Sequence, residues 1–440
     1  METKMIKILQ FGEGNFLRTF AEPYFQTLNE EGGRYEVIAI KPRSGKLSDA
    51  FALQHNRYHV VLRGMENGRV SERAKAIDVL KDVFSPSEEP EKFYSLARKE
   101  DLRLVISNTT ESGIRFDETD RRGNLAEMMT YPAKLTEFLY ERYKAGRGGV
   151  YLLPTELIDD NAEELKRCVD KYIRLWNLPD GFSEWNEREN YYCNTLVDRI
   201  VSGYPKEEET LRHLEDIIGG RDALMSVGEP YGLWAVEKKG EIEKYLTAGR
   251  HDIEVVLTEN VNDYKKRKVR VLNGSHTNMV GLGLLSGKET VYDCMTDTRL
   301  STFIAQTLEE EILPYMGADV SELKRYAESV KERFLNPYLN HRLESIALNS
   351  FSKWKARLLP SVRAYYAAEN KPPRRLIFGF AALIFLGRRG QLPGTERVNG
   401  SLSEFLRNRS LWGEDLTGYV GFFEEIKAAL ERMERGEISA

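Results

Sequence analysis

The pattern that most constrains the fold is an alternation of short β-rich runs with longer amphipathic patterns in the N-terminal half. The predicted strands are Ile6–Phe11, Tyr35–Ile40, Leu102–Ser107 and Gly149–Leu153. The predicted helices between and after them are Phe16–Glu31, Pro90–Lys99, Pro132–Ala145 and Asn161–Trp176. Strands that alternate with helices are typical of βαβ units, so we predict an α/β Rossmann-type, doubly wound parallel sheet.

The pattern changes after about Val255, where β-branched runs become scarce and apolar residues recur at helical spacing. The predicted helices there are Val280–Leu285, Phe303–Met316, Leu323–Phe334, Ile377–Leu386 and Phe422–Met433. We therefore predict a dinucleotide-binding domain over residues 1–256 and a mostly helical substrate domain over residues 257–440, with the active site in the cleft between them. Leu376–Gly387, the longest apolar run, is too short to span a bilayer and predicts a buried helix.

Composition excludes several classes of protein. The 440 residues carry a formal net charge of −5, and no basic domain stands out, which argues against a nucleic-acid binder. The three cysteines are far apart and form no CxxC pair, as is typical of a reducing compartment without a disulfide framework. A strand-like run begins at Met5, so we expect no signal peptide and predict a cytoplasmic protein with no membrane partner. The oligomeric state stays open.

The segment ILQFGEGNFLR, Ile8–Arg18, predicts a strand, a glycine turn and a helix. Gly12 permits a tight turn, and Gly14 lets the backbone approach a pyrophosphate at the helix N-terminus. The third glycine of GxGxxG is absent, since Leu17 occupies its position. The place of this turn at the start of a βαβ series favours a dinucleotide cofactor over an ordinary turn.

Two further loops bear on the cofactor. The second strand is followed by Lys41 and Arg43 instead of the acid that holds a ribose 2′-hydroxyl, so NADP stays open beside NAD. The third strand opens into a polar loop that contains Thr110 and Glu111. Ligands lie beyond the carboxyl ends of such strands, so we expect both residues near the nicotinamide.

The stretch KKRKVRVLNGSHT contains Lys268, Asn273 and His276. On an α-helix, Lys268 and His276 would lie about 80° apart, with Asn273 about 60° beyond His276. A lysine and a neutral amide suit a carbonyl whose oxygen gains charge during a reaction. The alternative is a basic patch followed by an ordinary helix.

Together these motifs resemble the mannitol dehydrogenase family of polyol-specific long-chain dehydrogenases. The chain matches that family's GxGxFxR turn, its Lys-x4-Asn-x2-His signature, and its Asn-x2-Val-Asp-Arg-Ile segment at Asn194–Ile200. The resemblance spans roughly Ile6 to Ala382 and implies a metal-independent, NAD-dependent oxidoreductase. It implies that the cofactor is bound by Gly12, Gly14, Asn15, Phe16 and Arg18.

The resemblance also implies catalytic roles. Lys268 would be the general acid/base, and Asn194 and Asn273 would donate hydrogen bonds to the carbonyl oxygen. His276 would position a substrate hydroxyl.

The substrate follows from finer similarities. Lys353 matches a substrate-binding lysine of the family, but Ser345 stands where mannitol enzymes have an arginine. Segments such as SNTTESG and YPAKLT are closer to the branch that reduces the keto-uronate D-tagaturonate to D-altronate in hexuronate catabolism. A carboxylate calls for arginine or lysine, which makes Arg199 a second candidate beside Lys353.

Other functions are weighed against this one. Within the class they are a fructuronate reductase and a mannitol 2-dehydrogenase. A dinucleotide-binding sensor would need no intact Lys-Asn-His set. A hydrolase finds no support, because neither GxSxG nor HExxH is present.

Overall fold

A computed structural model of the chain describes residues 5–43, 45–394 and 398–438. The chain forms two compact units. The first comprises Met1–Arg63 and Ser71–Val261, and the second comprises Gly64–Val70 and Asn262–Ala440.

The first unit is built on parallel β-structure. The strands of the chain are β1 Ile6–Phe11, β2 Tyr35–Ile40, β3 Tyr58–Glu66, β4 Arg69–Ile77, β5 Leu80–Phe84, β6 Leu102–Ser107, β7 Tyr151–Pro154, β8 Tyr191–Tyr192, β9 Thr195–Asp198, β10 Val201–Gly203, β11 Ser226–Gly228, β12 Leu233–Glu237, β13 Gly249–Arg250 and β14 Glu254–Thr258. The main sheet has the order β5-β2-β1-β6-β7-β8, and every neighbouring pair in it is parallel. Two four-stranded sheets have the orders β10-β11-β3-β4 and β13-β14-β12-β9.

Helices flank this sheet because its strands are apolar on both faces. The helices are α1 Asn15–Glu30, α2 Asp49–Leu53, α3 Pro90–Ala97, α4 Tyr131–Lys144, α5 Asn161–Leu175, α6 Asp180–Glu189 and α7 Glu208–Ile218, with a 3₁₀ turn at Ile242–Lys244. Consecutive residues Ile8 and Leu9 of β1 lie in different buried clusters, as do Leu104 and Val105 of β6. A sheet covered on both faces is the doubly wound arrangement predicted above.

The second unit is mostly helical. Its helices are α8 Val261–Arg267, α9 Gly274–Leu285, α10 Val291–Thr296, α11 Thr298–Gln306, α12 Val320–Phe334, α13 Leu343–Ala347, α14 Ser350–Arg357, α15 Leu359–Glu369, α16 Arg374–Arg388, α17 Leu402–Arg407, α18 Arg409–Trp412 and α19 Phe422–Glu434. Two π-helical segments, Lys268–Asn273 and Thr307–Ile312, and 3₁₀ turns at Leu313–Tyr315 and Leu416–Gly418 complete it.

A close crossing of α9 and α16 lies at the centre of the second unit. A Cβ added to Gly281 would lie 2.9 Å from the Cβ of Ala382, and one on Gly379 would overlap the side chain of Asn278. Small residues therefore let the two helices approach. The apolar run within α16 is buried, as predicted. Among the residues that the structure describes, no helix is long and apolar enough to cross a membrane.

Candidate active site

The glycine turn after β1 has the geometry that a dinucleotide requires. Gly12 has a φ of +122°, and a Cβ there would lie 2.9 Å from the carbonyl oxygen of Asn108. Only glycine fits that position. Gly14 caps α1, and a Cβ built on it meets no atom within 4 Å. Space is therefore open at the N-terminus of α1, where a pyrophosphate binds in folds of this type.

Arg18 holds this turn in place. Its Nε donates to the carbonyl of Glu13 at 3.1 Å, and its Nη2 donates to Oδ1 of Asn15 at 2.6 Å. Its Nη1 donates to the carbonyl of Leu224, and the side chain is buried. These bonds make Arg18 a support of the turn. Phe16 stacks on the buried ring of Phe20 with centroids 5.1 Å apart.

The loop after β6 is tightly folded. Thr109 donates from both its N–H and its hydroxyl to Oε1 of the buried Glu156, at 2.8 Å each. Thr110 has a φ of +77°, a strained conformation for a β-branched residue that often marks a functional loop. A Cβ on Gly113 would overlap Thr109 Oγ1, so the SNTTESG turn requires glycine there.

A cavity of about 410 Å³ lies at the carboxyl ends of β2 and β6. Its lining includes Arg43, Thr109, Ser112 and Lys134, whereas the predicted Thr110 and Glu111 are exposed beside it. Burial lowers the pKa of Lys134 to about 8, and its ammonium donates to the carbonyls of Pro42 and Met128. Lys134, in the YPAKLT segment, therefore braces the cavity wall. No residue pattern in the sequence had marked this lysine.

Glu13 brings a carboxylate close to the end of β2, which was not predicted from the sequence. Glu13, between the two glycines of the turn, forms an ion pair with Lys41, with Oε1 and Nζ 3.1 Å apart. Both side chains are about one-fifth exposed. A carboxylate thus stands near the position where an acid normally meets the ribose, although it comes from a different loop. Of the two predicted cations, only Arg43 lines the cavity and Lys41 is paired with Glu13.

Asn194 is fixed just before β9. Its Oδ1 accepts a hydrogen bond from the N–H of Ala162 at 3.0 Å, and its own N–H donates to Oε2 of Glu237 at 2.9 Å. Within the described part of the chain, its Nδ2 makes no hydrogen bond. A side-chain amide that is fixed by its oxygen and keeps its NH₂ group available suits the predicted role as hydrogen-bond donor to the substrate carbonyl.

Arg199 does not fit the substrate-binding role that we predicted for it. Its side chain is fully buried, and Nη1 lies 2.8 Å from Oδ2 of Asp252. The remaining donors bond the carbonyls of Thr19, Pro230, Tyr231 and Asp252. Every N–H direction is therefore used inside the first unit, and we assign Arg199 a structural role.

One run of helix joins α8 to α9 and carries Lys268, Asn273 and His276. Its middle, Lys268–Asn273, is π-helical, and the N–H of Gly274 accordingly donates to the carbonyl of Val269, five residues back. An α-helix would place residues five apart about 140° around the axis. In the wider π-turn this angle is smaller, because each residue turns through less of the circle. π-segments recur at functional sites.

His276 lies on the first turn of α9 and is buried. Its ring centroid lies 4.3 Å from that of Phe334, with the two rings tilted by 31°, and it meets the ring of His341 edge-on at 4.7 Å. Burial, followed by the charge of Lys353, lowers the pKa of His341. His276 and the predicted Lys353 therefore share His341 as a neighbour.

Two cations on α14 complete the site in the second unit. Lys353 Nζ donates to the carbonyl of Ile346 at 2.9 Å, and Arg357 Nη1 donates to the hydroxyl of Thr277 at 3.0 Å. Arg357 and His341 were not singled out from the sequence. The spacing of Lys353 and Arg357, four residues apart on one helical face, is the signal that marks Arg357.

The fold and the candidate residues together indicate the class of protein, a dehydrogenase. The chain has a Rossmann-type sheet with a glycine turn, and a helical unit with lysine, asparagine and histidine follows it. Family models agree: the mannitol dehydrogenase Rossmann domain matches residues 6–247, and the mannitol dehydrogenase C-terminal domain matches residues 260–434. The chain belongs to the mannitol dehydrogenase family and is an oxidoreductase acting on CH–OH groups. The predicted fold class and family resemblance are thereby confirmed.

The relatives identify a branch of that family. The altronate oxidoreductase of Bacillus subtilis is 39% identical over 86% of this chain and 79% of its own length. That of Yersinia enterocolitica is 35% identical over 96% and 88%, and that of Escherichia coli is 34% identical over 98% and 90%.

Two solved structures share the fold. A substrate-free D-sorbitol dehydrogenase has a TM-score of 0.81 at 20% identity, covering 98% of this chain and 94% of its own. A Pseudomonas fluorescens mannitol 2-dehydrogenase, solved with NAD and D-mannitol, has a TM-score of 0.68 at 18% identity, covering 99% and 93%.

Proposed function

We propose that the protein catalyses the reversible, NAD(H)-dependent reduction of the keto group of D-tagaturonate to the hydroxyl of D-altronate. The observation that supports this proposal is a continuous run of helix in which Lys268 and Asn273 bound a π-turn and His276 follows on the first turn of α9. The altronate oxidoreductases, 34–39% identical over most of the chain, support the choice of substrate.

The chemistry needs a hydride at the keto carbon and a proton at the keto oxygen. The glycine turn of Gly12 and Gly14 would hold NADH, which would supply the hydride when bound. The ammonium of Lys268 donates the proton, and the same group accepts it back when altronate is oxidised. The amides of Asn273 and Asn194 donate hydrogen bonds to the oxygen as it becomes an alkoxide. Buried His276 holds a neighbouring hydroxyl of the sugar acid.

Removing the amide of Asn273 should slow the chemical step. We expect Asn273→Ala to lower kcat on the order of a hundredfold to a thousandfold, the size of one lost oxyanion donor. Steady-state kinetics with saturating NADH and D-tagaturonate measure this. Asn278→Ala offers a comparison, because that asparagine lies on the same helix and faces Gly379 of α16. A turnover number unchanged in Asn273→Ala would assign Asn273 a structural role.

The Glu13–Lys41 ion pair favours NAD over NADP in this proposal. A 2′-phosphate would bring further negative charge towards the carboxylate of Glu13, and like charges at short range repel. We expect Glu13→Gln to raise kcat/KM for NADPH relative to NADH by about tenfold, since it removes the acid and releases Lys41.

The opposite end of β2 provides the matched control. Glu36 pairs there with Lys7 at 3.1 Å, so Glu36→Gln removes an equivalent ion pair without changing the cofactor ratio. If Glu13→Gln leaves the NADPH-to-NADH ratio at its wild-type value, Glu13 does not select the cofactor.

A substrate panel tests the function. Purified protein with NADH should reduce D-tagaturonate with a higher kcat/KM than D-fructuronate or D-fructose, followed by loss of NADH absorbance. Faster turnover of D-fructuronate or D-fructose would assign the protein to another branch of the family. Cofactor binding without turnover of any ketone would favour the sensor.

A further inference from the structure

Arg357 of α14 contacts the segment that carries the predicted catalytic residues. Arg357 Nη1 donates to the hydroxyl of Thr277, and it lies 3.5 Å from the carbonyl oxygen of Asn273. The contact is tight, because a Cβ on Gly274 would lie 3.0 Å from Cδ2 of Leu358. Arg357 is therefore held against the turn that places Asn273.

Lys353 and Arg357 place two positive charges one turn apart on α14. Within the described part of the chain, no carboxylate lies within ion-pair distance of Lys353 or Arg357. Burial, followed by the charge of Arg357, lowers the pKa of Lys353, and burial lowers the pKa of Arg357. Arg270, on the π-segment, bonds only the hydroxyl of Ser361, and its buried Nη2 meets no acceptor among the described residues.

Other arginines of the second unit show the ordinary arrangement. Arg342 lies 3.4 Å from Glu289 and 3.7 Å from Glu344, and Arg363 lies 2.7 Å from Glu414. Partly buried cations without such partners are costly unless an anion joins them. Lys353, Arg357 and Arg270 together therefore have the character of an anion site.

The guanidinium of Arg357 keeps one edge available. Its Nη1 is used by Thr277, whereas Nε and Nη2 make no hydrogen bond to the residues that the structure describes. Two parallel N–H groups on one edge match the two oxygens of a carboxylate. Lysine offers a point charge without this geometry.

We infer that Arg357, with Lys353 beside it, binds the carboxylate of the sugar acid and so selects a keto-uronate over a neutral ketose. The inference rests on the proposed function. It assigns Ser345, which replaces the arginine of mannitol enzymes, no part in charge recognition. The counter-charge comes from α14, which packs against the π-segment.

The test compares D-tagaturonate with D-tagatose, which has a CH₂OH group in place of the carboxylate. Two kcat/KM values are measured, one for D-tagaturonate and one for D-tagatose, and the first is divided by the second. We expect Arg357→Met to lower this ratio at least about thirtyfold, because a charged hydrogen-bonded pair is lost. The change should come chiefly from a raised KM for D-tagaturonate. Arg357→Lys keeps the charge and the fold but loses the two parallel N–H groups of the guanidinium. It should lower the ratio about tenfold. Arg363→Met, which breaks only the exposed pair with Glu414, should leave it unchanged.

The outcomes separate the two proposals. Suppose that wild-type protein reduces D-tagaturonate, but the Arg357 variants keep the wild-type substrate ratio or lose rate equally for both substrates. That result overturns the role of Arg357 alone. Wild-type protein that does not reduce D-tagaturonate overturns the proposed function and this inference with it. Wild-type protein that reduces both substrates equally well overturns carboxylate recognition.

Discussion

Replacing Lys268 by alanine should lower kcat at least about a thousandfold, while the protein stays folded and binds NADH as before. The expectation follows from the proposed role, because no other group on the π-turn can give the keto oxygen its proton and positioned acid–base catalysis contributes factors of this size. Single-turnover measurements with NADH and D-tagaturonate would isolate the chemical step from product release.

Lys266 supplies the matched control for this variant. It lies two residues earlier on α8, is well exposed, and is 3.7 Å from Asp263. Lys266→Ala should therefore keep near-wild-type turnover. A loss of less than tenfold in Lys268→Ala would remove Lys268 from the acid–base role.

Replacing Arg199 by methionine should destabilise the first unit by about 3–5 kcal/mol, the usual effect of breaking a buried ion pair. The variant removes the closer of two arginines from the buried carboxylate of Asp252, since Arg73 lies 3.7 Å from it, and takes these donors from four carbonyls. Urea denaturation followed by tryptophan fluorescence reports the change, because Trp234 of β12 is fully buried in this unit.

Arg212 offers the surface comparison. It pairs with Glu208 on α7, both side chains are mostly exposed, and such pairs contribute little. Arg212→Met should change stability by less than about 0.5 kcal/mol. An Arg199→Met protein of wild-type stability but with a strongly raised KM for D-tagaturonate would restore the substrate-binding role that its burial argues against.

The parallel strands were predictable because each is an apolar run buried on both faces. β1, β2 and β6 begin and end where the sequence placed them. The β3–β4 hairpin was missed although it carries a signal. Asn67 and Gly68 both have positive φ, as a two-residue hairpin turn requires, and Asn-Gly is the sequence typical of it.

The geometry of the helix that carries the proposed catalytic residues could not be predicted from the sequence. Side-chain patterns predict a helix, but they do not show that Lys268–Asn273 is a π-turn, because that depends on how the surrounding helices pack. At α-helical spacing, Lys268 and Asn273 would lie on different faces. The sequence thus predicts Lys268, Asn273 and His276 as a candidate set, but it does not show the π-turn that separates the first two.

Charge partners were the least predictable part of the site. Arg199 was expected to meet a substrate carboxylate, yet its partner Asp252 lies more than fifty residues away. Glu13 and Lys41 meet because the first turn and the end of β2 share one edge of the sheet. Long-range ion pairs of this kind depend on tertiary packing, which local patterns do not encode.

The most direct test of the central claim follows the hydride itself. NADH deuterated at the transferable position would be mixed with D-tagaturonate and the enzyme, and the product analysed by mass spectrometry and NMR. The account predicts D-altronate with one deuterium on the carbon that bore the keto group, and no label from deuterated water at that carbon. Product labelled from solvent at that carbon, or no altronate at all, would contradict it.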